Sequence, residues 1–317
     1  MVSAKKFNFK RILIIIVTVI FAFSAISLVA TKFIYDSIFA RYDDPIDTPP
    51  VLKSMVSGRS VHKYDSGDNQ LTGYYYPKEN GLGLVVLVPG FNAGADDFLW
   101  QIQSFLDLGW AVFTFDTTGC GNSEGKNQVG FSQPVLDLEF TLKYIANNQQ
   151  FGYNDLVLVG HSQGGYAVCC ALAGNYPVSA VVCISGVNSA MEGIMQMSSD
   201  AIGKVAYGNY GFLWLYQAML FGTDVVDREA CQAISQSQVP VLIIHGEQDS
   251  QIPMDETSVI SHKDHISGAK VEYLLCPGGH TDLLYDEDGT ANDDLMDAIH
   301  SFLLRSLSSG EPNPDRF

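Results

Sequence analysis

From residue 55 onwards, short apolar runs alternate with amphipathic segments. Residues 61–64 and 71–76 flank a Gly-Asp-Asn turn, and this spacing predicts an antiparallel hairpin. Six later apolar runs predict strands, and four segments have the signals of helices. The strands are expected at 84–88, 111–115, 156–159, 180–184, 241–244 and 271–275, and the helices at 96–108, 134–148, 162–174 and 293–307. This alternation predicts an α/β fold, a mostly parallel sheet of about eight strands flanked by helices on both faces.

The N-terminal segment departs from that pattern. Residues 12–30 carry no charge, whereas residues 1–11 contain four cations and no acid. Such an apolar run can cross a hydrocarbon core of about 30 Å as a helix. We therefore expect a basic cytoplasmic N-terminus at 1–11, a transmembrane signal-anchor helix at 12–30 and an extracytoplasmic domain. Cleavage at Ala25-Ile26-Ser27, which would release a secreted protein, is the alternative. A buried core helix is disfavoured because the run lacks a polar face.

Two other segments carry no strand signal. Residues 31–54 are polar and contain several prolines, which predicts a stalk between membrane and domain. Residues 186–238 are rich in large apolar side chains, which favours a helical cap over the site rather than ordinary helical core. The predicted boundaries are 55–308 for the domain, about 186–238 for the cap inside it, and 309–317 for a polar C-terminal tail. The cap residues expected to bind substrate are Met191, Met195, Phe212 and Trp214.

Charge and cysteine content exclude some function classes. The formal net charge of −17 argues against a nucleic-acid partner, because phosphate binding requires a basic face. The six cysteines form no Cys-x-x-Cys pair and have no nearby histidine at metal-ligand spacing, so we predict no metal site. Cys169 and Cys170 lie on a predicted helix and Cys183 in a predicted strand, which favours buried small hydrophobic residues over a disulfide framework.

The apolar run at 156–159 ends abruptly in the Gly-x-Ser-x-Gly motif of residues 160–164. A serine at a sharp strand-to-helix junction has a strained backbone that only small neighbours permit, and Gly160 and Gly164 supply the room. The helix that follows would point unpaired N–H groups and its positive dipole end at an anion beside the hydroxyl. Ser162 is therefore the candidate nucleophile.

A serine hydroxyl needs a base to take its proton and an acid to orient that base. Asp249 follows the predicted strand at 241–244, where the carboxyl end of the sheet would present it beside Ser162. His280 follows the last predicted strand in a Pro-Gly-Gly-His loop. The chain order Ser, Asp, His with each at a strand end predicts a catalytic triad. Glu247 is the substitute acid if the register differs.

With these residues, the chain resembles the α/β-hydrolase family over roughly residues 55–308, and within it the branch of monoacylglycerol-lipase-like and serine-aminopeptidase-like hydrolases. Three further segments carry the resemblance: Pro-Gly-Phe-Asn at 89–92, Asp-Thr-Thr-Gly-Cys-Gly-Asn-Ser-Glu-Gly at 116–125 and His-Gly-Glu-Gln-Asp-Ser-Gln-Ile-Pro at 245–253. The resemblance implies an α/β-hydrolase fold and an oxyanion hole formed by the backbone N–H groups of Phe91 and Gln163.

Two positions depart from the family pattern. The family usually has His-Gly where this chain has Pro89-Gly90. It also has Asp-x-Arg-Gly where this chain has Asp-Thr-Thr-Gly, so that Thr118 stands in place of the arginine. In the family both positions are structural supports for the oxyanion loop.

The resemblance implies acyl transfer to water without a metal or an organic cofactor. His280 would deprotonate Ser162, the hydroxyl would attack a carbonyl, and water would release the acyl group while Asp249 stays ionised. The leading hypothesis is a membrane-anchored serine hydrolase that cleaves small-molecule acyl or lipid-like carboxylic esters. An aminopeptidase is the first alternative, with Glu192 binding the substrate amine. A catalytically inactive binding protein is the second.

Overall fold

The computed structural model describes residues 9–43 and 48–308, so the predicted tail at 309–317 and most of the predicted basic N-terminus lie outside it. Eight strands form one sheet in the order β1-β2-β4-β3-β5-β6-β7-β8. They are β1 (Ser60–Ser66), β2 (Asn69–Tyr76), β3 (Leu84–Val88), β4 (Ala111–Asp116), β5 (Leu156–His161), β6 (Val178–Ile184), β7 (Val241–Gly246) and β8 (Val271–Cys276). The pairings of β2 with β1 and β4 are antiparallel, and the other pairings are parallel.

Helices cover both faces of the sheet. The helices of the described residues are α1 (Phe9–Ile38), α2 (Lys53–Gly58), α3 (Leu99–Asp107), α4 (Gln133–Ala146), α5 (Gln163–Cys170), α6 (Ala190–Ile202), α7 (Tyr210–Phe221), α8 (Thr223–Val226), α9 (Ala230–Ser235) and α10 (Asp293–Ser308). Buried side chains of α4, α5 and α9 form the core on one face, and those of α3 and α10 form the core on the other. The strands from β3 to β7 are buried along their whole length, as expected of parallel strands with two covered faces.

The predicted α/β fold is confirmed. Each strand expected from the apolar runs is present, and its bounds differ from the prediction by two residues or fewer. The helix predicted at 162–174 is shorter, because α5 ends at Cys170 and a 3-10 turn, Ala171–Ala173, follows it. The thiols of Cys169, Cys170 and Cys183 are buried in the core, where they pack as small apolar groups.

The stalk prediction for residues 31–54 is wrong at its N-terminal end. The helix α1 continues to Ile38. Among the helices of the described residues, it is the one that is long and apolar enough to cross a membrane. Tyr35 and Phe39 are only 2% and 0% exposed, because their rings pack against the domain. Tyr35 lies in the last turn of α1 and Phe39 directly follows its last residue, so the two side chains are four residues apart and contact each other, with ring centroids 4.5 Å apart. The polar composition of the segment concealed this contact.

The segment predicted as a cap, 186–238, is helical. The segment contains α6 to α9 and, among its described residues, no named strand. The helix α9, however, has buried Ala230, Cys231 and Ile234 and belongs to the core layer that holds α5. The helices α6 and α7, here termed the candidate cap, are joined by the 3-10 segment Gly203–Asn209.

Candidate active site

Ser162 lies at the junction of β5 and α5, in the strained backbone conformation that its motif predicts. Its φ is 57° and its ψ is −120°, in the region that side-chain-bearing residues rarely adopt. A Cβ atom on Gly160 would overlap the carbonyl oxygen of Gly164, and one on Gly164 would overlap that of Val88. The turn is therefore compatible with glycine alone at both flanking positions, and it lifts Ser162 out of the end of the strand.

The loops after β7 and β8 bring Asp249 and His280 together. The Nδ1–H of His280 donates to Oδ2 of Asp249 at 2.7 Å, since a carboxylate can only accept. Oδ1 of Asp249 accepts from the backbone N–H groups of Gln251 at 3.0 Å and Ile252 at 2.8 Å. Burial raises the pKa of Asp249, but the hydrogen bond and charge of His280 outweigh it and hold this pKa below its ordinary value. The carboxylate is thus ionised and fixes the imidazole with Nε2 free to accept a proton.

Ser162 and His280 line one cavity of about 260 Å³. Its walls come from the loops after β3, β4 and β8 and from the helix α6, and they include Gly90, Phe91, Phe131, Gly193, Met197 and Tyr285. Glu247, the substitute acid, is exposed and absent from this lining. Among the described residues the geometry therefore brings Ser162, His280 and Asp249 to one place, with Asp249 behind the histidine.

The two candidate oxyanion donors belong to elements beside Ser162. Gln163 is the first residue of α5, where backbone N–H groups have no partner within the helix. Phe91 follows the end of β3, and its neighbour Gly90 approaches so closely that a Cβ there would lie 3.1 Å from the Cβ of Ser162. Asn92 has a positive φ of 51°, and its N–H donates to Oε1 of Gln128 at 3.2 Å.

The segment that departs from the family pattern is held by other hydrogen bonds. Oδ1 of Asp116 accepts from the N–H of Ala95 at 2.9 Å, and Oδ2 accepts from the N–H of Asn122 at 2.9 Å. Burial raises the pKa of Asp116, while these hydrogen bonds oppose the rise. Thr118, at the position of the family arginine, donates through its hydroxyl to Asp137 at 2.9 Å. Asp116 therefore ties the loop after β4 directly to the loop after β3.

The cap residues expected to bind substrate lie elsewhere. Met191 and Met195 are buried in the core beneath α6, and the cavity is instead lined by Gly193 and Met197 of the same helix. Two residues correspond to about 200° around a helix, so these pairs lie on opposite faces. On α7, the ring of Phe212 contacts that of Phe23, and Nε1 of Trp214 donates to Asp227 at 2.8 Å. The composition predicted a helical segment, but it did not predict which side of each helix faces the cavity.

Glu192 does not face the cavity. Its N–H donates to Oγ of Ser189, the N-cap of α6, at 3.2 Å, and its Oε1 lies 3.1 Å from Nε2 of His262. Burial raises the pKa of Glu192, and the neighbouring His262 opposes the rise. The carboxylate is therefore part of a helix cap, and Glu192 is not among the residues that line the cavity.

Sequence reasoning missed His161, although this residue belongs to the motif. Its Nε2–H donates to the backbone carbonyl of His280 at 2.8 Å, and the two rings lie 4.8 Å apart. His161 is buried, and burial followed by the nearby His280 lowers its pKa to about 3. The neutral ring thus fixes the backbone of the His280 loop. A polar ring at the end of an otherwise apolar strand was the available signal.

Acidification is expected to destabilise the protein through His161. Its unfolded-state pKa of about 6.5 exceeds the folded value, so between pH 6.5 and about 3 the unfolded chain binds the extra proton. Stability then falls with falling pH, at a limiting slope of about 1.4 kcal/mol per pH unit. Burial also lowers the pKa of His245, which contributes in the same direction. Urea unfolding from pH 6.5 to 4.5 measures how the free energy of unfolding depends on pH. His161→Gln should reduce that slope by the contribution of about one proton. Identical slopes in the two proteins would contradict this assignment.

No metal is implied by the residues at hand. Within residues 9–43 and 48–308, no group of three or more His, Cys, Asp or Glu side chains could hold a metal ion.

Comparisons with known proteins address the family. A family model described as alpha/beta hydrolase fold matches residues 83–221. The bifunctional esterase/perhydrolase DCH of Acinetobacter calcoaceticus is 26% identical over 259 residues, which cover 67% of this chain and 90% of that protein. The acylamino-acid-releasing enzyme of Mus musculus is 24% identical over 211 residues, 63% of this chain, but the match spans only 29% of the mouse enzyme.

Among solved structures, the Pyrococcus furiosus esterase Pf2001 superposes with a TM-score of 0.64 at 17% identity, covering 84% of this chain and 98% of that one. At this identity the likeness concerns the fold. The family model and the superposition both concern the fold that the eight-stranded sheet of this chain forms. The chain therefore has the α/β-hydrolase fold.

Proposed function

We propose that this protein is a membrane-anchored serine hydrolase that cleaves acyl or lipid-like carboxylic esters through Ser162, His280 and Asp249. The observation that carries the proposal is the hydrogen bond of 2.7 Å between His280 and an ionised Asp249, behind a cavity that His280 shares with Ser162. A strained serine, an oriented imidazole and a buried carboxylate are the parts that acyl transfer requires. The similarity to two esterases supports the same chemistry.

The reaction would proceed through an acyl-enzyme. Nε2 of His280 takes the proton of Ser162, and Oγ forms a bond to the ester carbonyl carbon while the carbonyl becomes an oxyanion. The N–H groups of Phe91 and Gln163 would stabilise that oxyanion. The carbon–oxygen bond to the alcohol then breaks, and the alkoxide leaves with the proton from His280. Water repeats the sequence and releases the carboxylic acid, while Asp249 stabilises the imidazolium at each stage.

The position of the cap supports a lipid-like substrate. Nδ2 of Asn209 donates to Oγ1 of Thr31 at 3.0 Å, and the ring centroids of Phe212 and Phe23 lie 6.4 Å apart. Phe23 lies about 10 Å along the helix from the end of the apolar run at residue 30. If α1 spans a bilayer, α7 then lies at the depth typical of interfacial helices.

The surface of α7 is suited to that depth. The helix contains no charged residue, and three of its large apolar side chains are exposed to solvent: Leu215, Met219 and Leu220. Exposed apolar side chains beside an apolar helix are expected at a lipid surface. The cavity under the cap would therefore receive substrates that partition into the bilayer. The basic flank at 1–11 favours an extracytoplasmic domain, and a secreted form cut near Ser27 is the alternative.

An amide hydrolase of the same fold is less well supported. The relation to the mouse acylamino-acid-releasing enzyme favours it. Binding of a substrate amine would, however, require an acid at the cavity, and Glu192 is engaged with Ser189 and His262 instead. A non-catalytic binding protein would not need an ionised carboxylate that orients His280.

A substrate panel tests the proposed function. We expect the full-length protein in lipid vesicles to hydrolyse acyl esters, with kcat/KM rising from two-carbon to medium-length chains because the cavity is largely apolar. Amino-acid amides run beside the esters should be cleaved far more slowly. The same panel on Glu192→Gln provides a control, since a residue outside the cavity should leave the preference unchanged. Exclusive cleavage of amides would refute the ester hydrolase.

A further inference from the structure

Residues 39–42, here termed the juxtamembrane clamp, join α1 to the domain and contact the loop at 119–128. Three backbone hydrogen bonds connect the two segments. They run from Tyr42 N–H to Gly119 O (3.0 Å), from Gly121 N–H to Tyr42 O (2.8 Å) and from Gln128 N–H to Phe39 O (2.8 Å). Isolated β-bridges at Ala40–Asn127 and Tyr42–Cys120 describe the same pairing. The segment that leaves the apolar helix is therefore built into the loop after β4.

The side chain of Arg41 binds this loop through hydrogen bonds to three backbone carbonyl groups. Its Nη1 donates to the carbonyl oxygens of Ser123 and Gly125 at 2.9 Å each, and its Nη2 donates to that of Gly121 at 2.6 Å. One planar guanidinium thus fixes three carbonyl groups, which a lysine ammonium does not match in geometry. The family pattern places an arginine at position 118, where this chain has threonine. In this protein the guanidinium on the loop comes from Arg41, far away in sequence.

Gln128 carries the contact from the clamp to the loop after β3. Its Nε2 donates to the carbonyl oxygen of Ala40 at 2.8 Å and to Oδ1 of Asn92 at 2.6 Å. Its Oε1 accepts from the N–H of Asn92 at 3.2 Å. Asn92, whose positive φ needs support, is therefore held by both polar atoms of one amide side chain.

Phe39 makes the second contact between the clamp and that loop. Its ring is fully buried and lies 5.2 Å from the ring of Phe91 and 6.0 Å from that of Phe131, in edge-to-face geometry with both. Phe91 and Phe131 line the cavity, and Phe91 carries a candidate oxyanion donor. The clamp thus contacts Phe91 through its ring and reaches the next residue, Asn92, through Gln128.

We propose that the juxtamembrane clamp positions the N–H of Phe91 for the oxyanion, with Arg41 and Gln128 as positioning residues, so that the segment after the anchor helix is part of the active site. The role rests on the proposed serine hydrolase function. Oxyanion donors act because they are held in place before charge develops, and loss of one donor costs on the order of 10²–10³ in rate. Loss of the contacts that hold the loop of Phe91 should therefore lower the rate by part of this factor.

Arg41→Ala and Gln128→Ala are the test variants, assayed in the full-length protein on a short-chain ester. We expect kcat to fall by about 10- to 100-fold with KM within about twofold, since the lost interaction is made in the transition state. Arg41→Lys should not restore the rate, because an ammonium cannot bind three carbonyl oxygens in one plane. Arg228→Ala is the matched control. Its side chain is 26% exposed against 30% for that of Arg41, and it pairs with Glu139 outside the cavity.

Hydrogen–deuterium exchange gives a readout that does not depend on turnover. Uptake at 90–93 and 119–128 should rise in Arg41→Ala and Gln128→Ala and stay at the wild-type level in Arg228→Ala. An active wild type with unchanged kcat in both test variants would overturn the clamp alone. A wild type that neither hydrolyses esters nor reacts with a fluorophosphonate would overturn the hydrolase function, and the catalytic role of the clamp with it. A parallel fall in kcat for Arg228→Ala would also overturn the clamp, because it would indicate general destabilisation.

Discussion

Replacement of Ser162 by alanine is expected to lower kcat for ester hydrolysis by about 10⁶-fold, the scale seen when a triad nucleophile is removed. The substitution deletes the only atom that would bond to the acyl carbon and leaves the strained turn in place, since the flanking glycines are unchanged. Reaction with a fluorophosphonate probe should be lost with hydrolysis. Residual turnover would measure what the cavity and the backbone N–H groups contribute without covalent catalysis.

Ser179→Ala is the control for that substitution. Ser179 is 7% exposed against 8% for Ser162, and its hydroxyl donates to Asp155 at 2.8 Å. It lies near the N-terminal end of β6, whereas Ser162 follows the C-terminal end of β5. Its loss removes a buried hydroxyl of the same kind without touching the cavity. Probe labelling that persists in Ser162→Ala at the wild-type rate would rule out Ser162 as the nucleophile.

Asp249→Asn is expected to lower kcat by about 10⁴-fold, as removal of the orienting charge does in an established triad. The amide can still accept the N–H groups of Gln251 and Ile252, so the loop should keep its shape. It can also donate to His280, which would turn Nδ1 into an acceptor and place the proton on Nε2. A histidine in that state cannot take the proton of Ser162.

Glu247→Gln separates this effect from a general loss of acidic charge. Glu247 is exposed in the same loop, and its side chain is absent from the cavity. Activity within about twofold of wild type is expected for it, as for surface substitutions away from a site. The reverse pattern, with Glu247→Gln inactive and Asp249→Asn active, would transfer the acid's role to Glu247. Circular dichroism and thermal melting of both variants exclude unfolding as the cause.

The elements of the fold could be predicted because their signals are local. Strands such as β3 and β5 are uninterrupted apolar runs, since burial on both faces demands it. The Gly-Ser-Gly spacing around Ser162 is likewise set by the few atoms of one turn. Asp249 and His280 could be nominated because parallel strands end at one edge of a sheet, although the 2.7 Å hydrogen bond between them joins residues far apart in the chain.

Contacts that depend on the phase of a helix were not available from composition. Met191 and Met195 satisfy the same apolar pattern as Met197, and only the packing of α6 decides which side faces the cavity. The same holds for Glu192, whose sequence position fits a substrate-binding acid and whose side chain belongs to a helix cap. Burial selects one face of a helix only when the neighbouring elements are in place.

The sequence by itself determined the sheet, the turn at Ser162, the order of the three candidate catalytic residues and an N-terminal helix able to cross a membrane. The tertiary structure alone decided that residues 39–42 are part of the domain. Arg41 and Gln128 bind the loops beside the cavity through hydrogen bonds to residues dozens of positions away. Short-range patterns record strands, helices and turns because their forces act between near neighbours. Hydrogen bonds between a side chain and distant carbonyl groups produce no periodic pattern in the sequence. A polar segment that is predicted to be a spacer can therefore support an active site.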